Sequence, residues 1–484
     1  MAQNRVIHGV PMTIHRDGWW LEDGPAQPAG TRQRSLRPFA LLLVLILLAD
    51  VLFYRQSVGL SLALFALALF AAAQRRTPRP APSAVLILSL LPVIDHVQLL
   101  SVVIFCFGLI ISIAMSRLPL SPPATTLRAA LSLATQIPLR AARDLASGVA
   151  RLQVQSNAAR RFGRAWAFPL GGMLVLISLL AAANPVLDGW LSGLADLPLD
   201  PGAWLRRLTF WTGLALLVWP LLVADPHLPP AALAARKTVP ASFGLNAASV
   251  SNALILFNAV LAVQTLLDAR YLWSGAALPP GMSLASYAHR GAYPLLATAL
   301  LAGAFALAAR PWLTERRILK PLLLLWLAQN ILLTLSALYR LELYVQTYFL
   351  TYLRAYAFIW MALVATGLAL TLFQIAATRT NLWLLIRCAA LAAATLYLCA
   401  FVNFAAIIAR VNVAEGKIDA YYLCGLGPTA AAEIPNDLIW PDTDTICPPA
   451  PPQIDGWRDW GFRNWRVLRY LNQQEAAHED PRRR

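Results

Sequence analysis

The sequence predicts an all-α, polytopic membrane protein, and three observations carry this prediction. Of the 484 residues, 58% are hydrophobic and only 13% are charged, a balance outside the range of soluble domains. The hydrophobic residues gather in apolar runs of the length that a bilayer-crossing helix needs. The arginines behind the net charge of +16 lie in short blocks between these runs. This arrangement is typical of loops that set membrane topology and argues against a nucleic-acid-binding domain.

The apolar runs predict about eleven transmembrane helices. Residues 1–37 form a cytoplasmic N-terminal tail, 38–115 the first membrane helices, 116–165 a basic cytoplasmic insert, 166–404 the main transmembrane bundle, and 405–484 a small extracytoplasmic C-terminal region with an amphipathic helix. The predicted spans are 38–54, 58–73, two short helices within 84–115, 166–184, 208–223, 248–267, 291–309, 321–338, 353–376 and 382–404.

Local signals set the boundaries of these elements. The second span stops at the basic, proline-rich segment QRRTPRP, and the run 84–115 is broken around PVIDHVQ at 92–98. No glycine or proline occurs from Leu322 through Thr366, yet a helix of that length would far exceed a bilayer. The chain must therefore bend without a helix breaker, and the polar stretch 339–352 is predicted to do so as a short interfacial helix.

The distribution of basic residues predicts the orientation. Arginine and lysine are concentrated in the segments that this topology places on one side, which puts the N-terminus in the cytoplasm and the C-terminus outside. Within the basic insert, residues 139–154 fit either a helix on the anionic inner leaflet or a solvated basic linker, and the sequence leaves both open.

A cluster of polar residues interrupts the apolar chain between two predicted spans. Arg340, Tyr344, Tyr348 and Tyr352 recur every four residues, so they share one helical ridge. The segment 287–294 is similar in character, and we expect the two to face each other across an outward-facing vestibule. The predicted ligand-binding residues are Tyr287, His289, Arg290, Arg340, Glu342, Tyr344, Tyr348, Thr351, Tyr352 and Arg354.

Two interpretations of this vestibule are possible. Arginines as bidentate donors and tyrosines as stacking walls would recognise a polar or anionic ligand, such as an anionic lipid or a lipid-linked sugar. Alternatively, Arg340 and Arg354 reach the headgroups or pair internally with Glu342 and Asp268, and the tyrosines belong to an interfacial aromatic belt. For any single residue the second interpretation is favoured, but the density of polar residues favours a site.

Other polar residues in the membrane region have simpler explanations. Asp95 and His96 lie at the break between two short helices, which is a pattern of transporter binding sites, but an ordinary outer turn is preferred. Asp50 at the end of the first span is predicted to be capped or to reach the interface. Cys106, Cys388 and Cys399 are predicted as small residues packed within spans.

The C-terminal region carries two further predictions. Cys424 and Cys447 would meet an oxidising compartment if this region is outside, so they are predicted to form a disulfide. Further along the chain, one face of a helix would carry aromatic and leucine residues and the other arginines, which predicts an interfacial amphipathic helix. The apolar face contains Trp457, Trp460, Trp465, Leu468 and Leu471, and the opposite face Arg463, Arg466 and Arg469.

No motif identifies a reaction. The sequence lacks the HExxH and CxxC patterns, so we predict no catalytic residue, metal or cofactor. Ligand binding or transport is the favoured function, with the lipid bilayer as partner and no nucleic acid. A lipid- or glycan-modifying enzyme, for which His289, Glu342 and Asp268 are the candidate bases, and an accessory or signalling scaffold are the alternatives.

Four stretches of the sequence resemble one bacterial family. They are ADVLFYRQSVGLSLALF at 49–65, YAHRGAYPLL at 287–296, YFLTYLRAYAFIWM at 348–361 and VNVAEGKIDAYYLCGLGP at 411–428. In these stretches the chain resembles the domain of unknown function 4173 (DUF4173), whose sister is family 4153. That family usually has Tyr-Gly-Leu-Thr where this chain has residues 348–351, and often a second arginine at the position of His289. The resemblance implies an integral membrane protein of unassigned activity and supplies no catalytic residues.

Overall fold

The computed structural model describes residues 37–74, 79–118, 124–138, 201–224, 246–274, 284–435 and 450–479, with a few single positions between 122 and 180. For 201, 284–296 and 477–479 it describes the backbone alone. The principal α-helices are α1 Arg37–Phe53, α2 Leu60–Ala73, α3 Pro80–Asp95, α4 Leu99–Arg117, α5 Pro201–Val223, α6 Ala247–Asp268, α7 Leu284–Ala309, α8 Leu319–Thr347, α9 Tyr352–Ala376, α10 Asn381–Phe401, α11 Phe404–Ala414, α12 Ala420–Cys424 and α13 Phe462–Glu479.

Every regular element within the described residues is helical, as predicted. These helices coincide with each predicted span except 166–184, which lies outside the described residues apart from single positions. Six of them are long and apolar enough to cross a membrane. The protein is therefore an all-helical membrane protein, whereas the count of about eleven spans and the two alternatives for 139–154 stay predictions.

The chain divides into two compact units, of which unit 1 contains residues 1–51 and 136–224. In unit 1 the Asp50 carboxylate accepts hydrogen bonds from the Arg207 guanidinium, with Nε at 2.9 Å, and from Trp211 Nε1 at 2.9 Å. Both donors lie on α5, and the carboxylate lies near the end of α1. The Arg207 guanidinium neutralises its charge, and Trp211 supplies a further hydrogen bond. Asp50 is thus held by partners that the sequence alone did not identify.

Unit 2 contains residues 52–135 and 225–484, and its largest apolar cluster joins four helices. Leu254 of α6, Ala302 of α7, Leu327 of α8 and Leu368 of α9 are all buried in this cluster. A second contact joins α3 to α4, where a Cβ atom added to Gly108 would lie 2.1 Å from the Ser89 Cβ. The close approach of these two helices therefore depends on the absence of a side chain at Gly108.

At one end of unit 2, basic side chains donate hydrogen bonds to backbone carbonyls. Lys320 Nζ donates to the Ala376 carbonyl at 3.1 Å, and Arg79 donates to the Leu118 carbonyl at 2.8 Å. Arg310 donates to the Arg379 carbonyl near the start of α10. Cations are favourable at helix C-terminal carbonyls, which lack partners within the helix. The sequence assigned these residues to the cytoplasmic side, and that assignment stays a prediction.

Candidate functional site

The opposite end of unit 2, here called the tail end, is where residues 402–435 and 450–479 pack against the ends of the long helices. The Leu60 amide at the start of α2 donates to the Trp460 carbonyl at 3.0 Å. At the same place, a Cβ atom on Gly59 would lie 2.4 Å from the Asp459 carbonyl carbon. Only glycine allows the two backbones to approach this closely, so the C-terminal residues form part of unit 2.

The break between α8 and α9 also lies at the tail end. Helix α8 continues without interruption to Thr347, so the prediction of a separate interfacial helix within 339–352 is wrong. The chain instead breaks at residues 348–351, without the glycine that the resembling family has there. Asn412 of α11 stabilises the break, because its side chain accepts from the Leu350 amide at 2.7 Å and donates to the Leu350 carbonyl at 3.0 Å.

Two more side chains from the C-terminal region satisfy backbone groups at this break. Lys417 Nζ donates to the Val345 carbonyl at 2.9 Å, near the end of α8. The Tyr422 hydroxyl accepts a hydrogen bond from the Tyr352 amide at 2.9 Å. Helix ends expose such groups, and leaving them unpaired would be unfavourable at a bilayer boundary. The stretch 411–428 therefore supplies the hydrogen bonds that stabilise the α8–α9 connection.

Arg340 is paired inside the protein. Its guanidinium forms a salt bridge with Asp268, and the two side chains are 4% and 2% exposed. Glu342, the other partner considered, is exposed and accepts a hydrogen bond from Gln346 at 3.2 Å. The internal-pairing interpretation therefore holds for Arg340 through Asp268, and Arg340 is not directed into an open vestibule.

Arg354, in the first turn of α9, lies among aromatic rings. Its guanidinium carbon is 4.5 Å from the Tyr344 ring centroid, 5.2 Å from Phe349 and 5.9 Å from Tyr348. The guanidinium also donates to the Phe349 carbonyl. This stacking holds the cation in place through the electrostatic attraction of the rings.

The predicted ridge is divided by the break. Thr351 serves as the N-cap of α9, accepting from the Arg354 amide at 3.4 Å. Tyr352 stacks with Tyr356, with ring centroids 6.0 Å apart, and both line a cavity whose lining does not include Arg354 or Tyr344. The structure thus brings together part of the predicted site and separates the rest.

The remaining predicted residues are not tested by the described side chains. Tyr287, His289 and Arg290 lie on the first turns of α7, where only the backbone is described. Cys424 is disulfide-bonded, but Cys447 lies outside the described residues. The convergence of Arg290 with the other arginines and the pairing of the two cysteines stay predictions.

Arg463 at the start of α13 is the central residue that the sequence analysis missed. It is 3% exposed, and its guanidinium donates to Asp95 Oδ2 at 2.5 and 3.0 Å. It also donates to the Ala400 carbonyl at 2.9 Å and the Val402 carbonyl at 3.3 Å, at the end of α10. One side chain thus ties together the C-terminal ends of α3 and α10, where a cation is electrostatically favoured.

The amphipathic pattern predicted for the C-terminal helix is therefore partly wrong. Trp457 and Trp460 precede α13, and Arg463 lies on its buried face together with Val467, which is 7% exposed. The available signal was the spacing of Arg463 from Val467, which places both on the same face of a helix. Residues 96–98 form a turn between α3 and α4, as expected, but Asp95 at its start also binds this buried arginine.

A cavity of about 340 Å³ opens beside Arg463 at the tail end. Its walls come from the α3–α4 turn, the first turns of α9 and α13, and the segments that flank α11. An aromatic side is formed by Tyr356 and Phe404, with ring centroids 5.4 Å apart. Besides Arg463, the polar side chains that line the cavity are His96, Gln98, Tyr352, Tyr356, Asn403, Thr429, Gln453 and Asn464.

The environment of His96 favours its neutral form. Burial lowers the pKa of His96 below its ordinary value, and the nearby positive charge of Arg463 lowers it further, whereas Asp95 and Asn464 partly oppose these effects. At neutral pH the imidazole therefore has one donor and one acceptor nitrogen to offer to a ligand. Within the described residues no group of three or more His, Cys, Asp or Glu side chains could hold a metal ion.

Comparison with known proteins places the chain in a family. A family model described as domain of unknown function (DUF4153) matches residues 36–436. The chain belongs to the DUF4153 family. This is the sister of the family named from the sequence resemblance, and membership of DUF4173 itself stays a prediction. No curated protein and no solved structure matches the chain.

The DUF4153 match contains most of the cavity but not all of it. Asp95, His96 and Tyr352 lie within the matched residues, whereas Arg463 and Asn464 lie beyond residue 436. The site of this chain therefore combines the family domain with a C-terminal helix outside the matched region.

The shifted pKa of His96 predicts a pH-dependent stability. Because the folded pKa is below the unfolded value of about 6.5, the unfolded chain binds more protons between these two values. The free energy of unfolding should therefore fall as the pH drops below about 6.5, and should level off below the folded pKa. Thermal unfolding of the purified full chain between about pH 7.5 and 5 measures this loss.

One variant tests whether His96 is responsible. His96→Gln should make the unfolding midpoint less dependent on pH in this range. An equal pH dependence in wild type and His96→Gln would contradict the prediction.

Proposed function

We propose that the protein binds a neutral, hydroxyl-rich headgroup, such as that of a lipid-linked sugar, in the tail-end cavity. The observation that supports this most is the lining itself, which combines two stacked tyrosines with an imidazole and four amide side chains. Amides and a neutral imidazole provide both donors and acceptors, which hydroxyl groups require. Pockets for small molecules commonly pair an apolar or aromatic wall with a few such polar groups.

Charge balance favours a neutral ligand over an anion. Arg463, the one arginine in the cavity lining, already donates to the Asp95 carboxylate and to two backbone carbonyls. Arg340 is likewise paired with Asp268. An anion would have to compete with these partners, whereas a hydroxyl group can bond to the amides without displacing an existing ion pair.

The position of the cavity fits a ligand that is attached to the bilayer. The cavity is lined by the first turn of α9 and by residues just beyond the end of α10. Helices α9 and α10 are both long enough and apolar enough to span a membrane. A lipid headgroup at the membrane surface would reach the cavity, while the acyl chains of the same lipid stay among the membrane-spanning helices. In this proposal the tail end faces outward from a bacterial inner membrane, with the N-terminus cytoplasmic.

Binding can be tested with a sugar-headed amphiphile. The full chain is purified in a detergent whose headgroup is not a sugar. It is then titrated with octyl β-glucoside, at concentrations below the critical micelle concentration of this amphiphile. An octyl oligo-oxyethylene ether of similar size is the control without a sugar. At about ten times the dissociation constant the sugar amphiphile should add about 1.4 kcal/mol to the free energy of unfolding. For a chain of this length, this corresponds to an increase of about 1–2 °C in the unfolding midpoint.

A variant that fills the cavity provides the control. Gln453 lines the cavity and is exposed, so Gln453→Trp should block the space without disturbing the core and abolish the shift. Gln56→Trp changes an equally exposed glutamine elsewhere in unit 2 and should retain it. Equal shifts with both amphiphiles, or a shift that survives Gln453→Trp, would refute the proposed binding.

A further inference from the structure

Helix α13 has a second, exposed face that its contacts with unit 2 do not explain. While Arg463 and Val467 are buried, Phe462 is 43% exposed, Trp465 is 37% exposed and Tyr470 is 48% exposed. Trp457, just before the helix, is 52% exposed. Large aromatic side chains in such a group usually mark a surface that meets another molecule or a membrane.

A groove lies beside Trp465, which is the member of this aromatic group that lines it. It has a volume of about 490 Å³, separate from the tail-end cavity, with which it shares no lining residue. Two tryptophans flank a mainly aliphatic surface, and one guanidinium stands among amides on the polar side. The main lining residues are Ile454, Trp460, Trp465, Leu468, Arg469 and Ala476.

Arg469 is suited to accept an anion. Its guanidinium carbon is 5.4 Å from the Trp465 ring centroid, which limits the motion of the side chain, and the residue is exposed. No ion pair of Arg469 occurs among the residues that the structure describes. A stacked arginine keeps its in-plane N–H groups available, and these match the geometry of phosphate oxygens.

The groove lies at the level where membrane helices end. The Trp460 carbonyl accepts from the first amide of α2, and Arg463 binds the last residues of α3 and α10. Tryptophan and arginine together are typical of the zone between hydrocarbon and headgroups, where the ring stays in apolar surroundings and the cation meets phosphate.

From these contacts we infer that the groove binds an anionic phospholipid. The lipid phosphate lies on Arg469, and the glycerol and upper acyl segments lie between Trp460 and Trp465 against Ile454 and Leu468. The apolar floor selects a lipid of the bilayer over a soluble phosphate, and the Arg469 guanidinium selects a headgroup with net negative charge over a zwitterionic one. This site is independent of the proposed sugar-binding cavity.

The experiment uses the full chain in nanodiscs that contain equal amounts of phosphatidylglycerol and phosphatidylcholine. Lipids retained after mild release are counted by native mass spectrometry. Wild type should retain phosphatidylglycerol in preference to phosphatidylcholine, and Arg469→Gln should reduce this preference at least about fivefold. Arg466→Gln is the matched control, since Arg466 is an exposed arginine on the same helix that does not line the groove, and it should retain the preference.

Several results would overturn the inference. An equal loss in both variants would indicate a diffuse charge effect, and no loss in Arg469→Gln would remove the site. Displacement of the retained lipid by inorganic phosphate would assign the groove to a soluble anion. A dimer in mass photometry that dissociates on Trp465→Ala would assign this face to a second copy of the chain.

Discussion

Replacing Arg463 with glutamine is expected to detach residues 450–479 from unit 2 and to lower its free energy of unfolding by about 3–5 kcal/mol. The variant leaves the largely buried Asp95 carboxylate without its cation, and it removes the donors to the Ala400 and Val402 carbonyls. Unpaired charges and carbonyls at a helix end are strongly unfavourable when water is excluded. The unfolding midpoint and the rate of proteolysis within 450–479 measure the effect.

The loss should be specific to the buried arginine. Arg466→Gln, three residues further along α13 and exposed, should change the free energy of unfolding by less than about 0.5 kcal/mol. The double variant Asp95→Asn with Arg463→Gln should be more stable than Arg463→Gln alone, because the uncompensated charge is removed. A protease-resistant tail with an unchanged midpoint in Arg463→Gln would contradict this account of how the tail is held.

Replacing Arg340 with glutamine is expected to have an effect of similar size, about 3–5 kcal/mol. Its salt bridge with Asp268 joins α8 to the end of α6, and both side chains are at most 4% exposed. With the cation removed, the Asp268 carboxylate would remain charged in an apolar bundle or would have to take up a proton. The midpoint of unfolding of the full chain in one defined detergent is the measurement.

The neighbouring acid provides the control for this second variant. Glu342→Gln changes an exposed carboxylate two residues away, so the midpoint should hardly move. The double variant Arg340→Gln with Asp268→Asn should recover part of the loss. If Glu342→Gln is as damaging as Arg340→Gln, then Glu342 and not Asp268 is the important partner, and the pairing seen in the structure is wrong.

These two ion pairs change the interpretation of the polar cluster. The sequence suggested several arginines in need of anionic ligands, whereas Arg340 and Arg463 obtain carboxylates from distant parts of the chain. Arg354 stacks on aromatic rings and donates a hydrogen bond to a backbone carbonyl. Because most of this charge is satisfied internally, the cavity at the tail end is better matched to hydroxyl groups than to an anion.

The helices and the location of the α8–α9 connection could be predicted because their signals are local. An apolar run of sufficient length must form a helix in a bilayer, since no other structure satisfies its backbone there. The bend between Leu322 and Thr366 was required by length alone, and the structure places it within the predicted stretch, at residues 348–351. The prediction of a separate helix failed because Asn412, 62 positions from Leu350, supplies the hydrogen bonds that end α8 and allow α9 to begin.

The sequence by itself thus determined that this is an all-helical membrane protein with a polar region around residues 339–352. Only the tertiary structure decided which polar groups meet. Arg463 and Asp95 are 368 positions apart, and neither residue carries a local sign of the other. Hydrophobicity is a property of consecutive residues, so it can be read along the chain. The pairing of a buried charge depends on which helix ends the packing brings together, and the cavity at the tail end is formed by that packing.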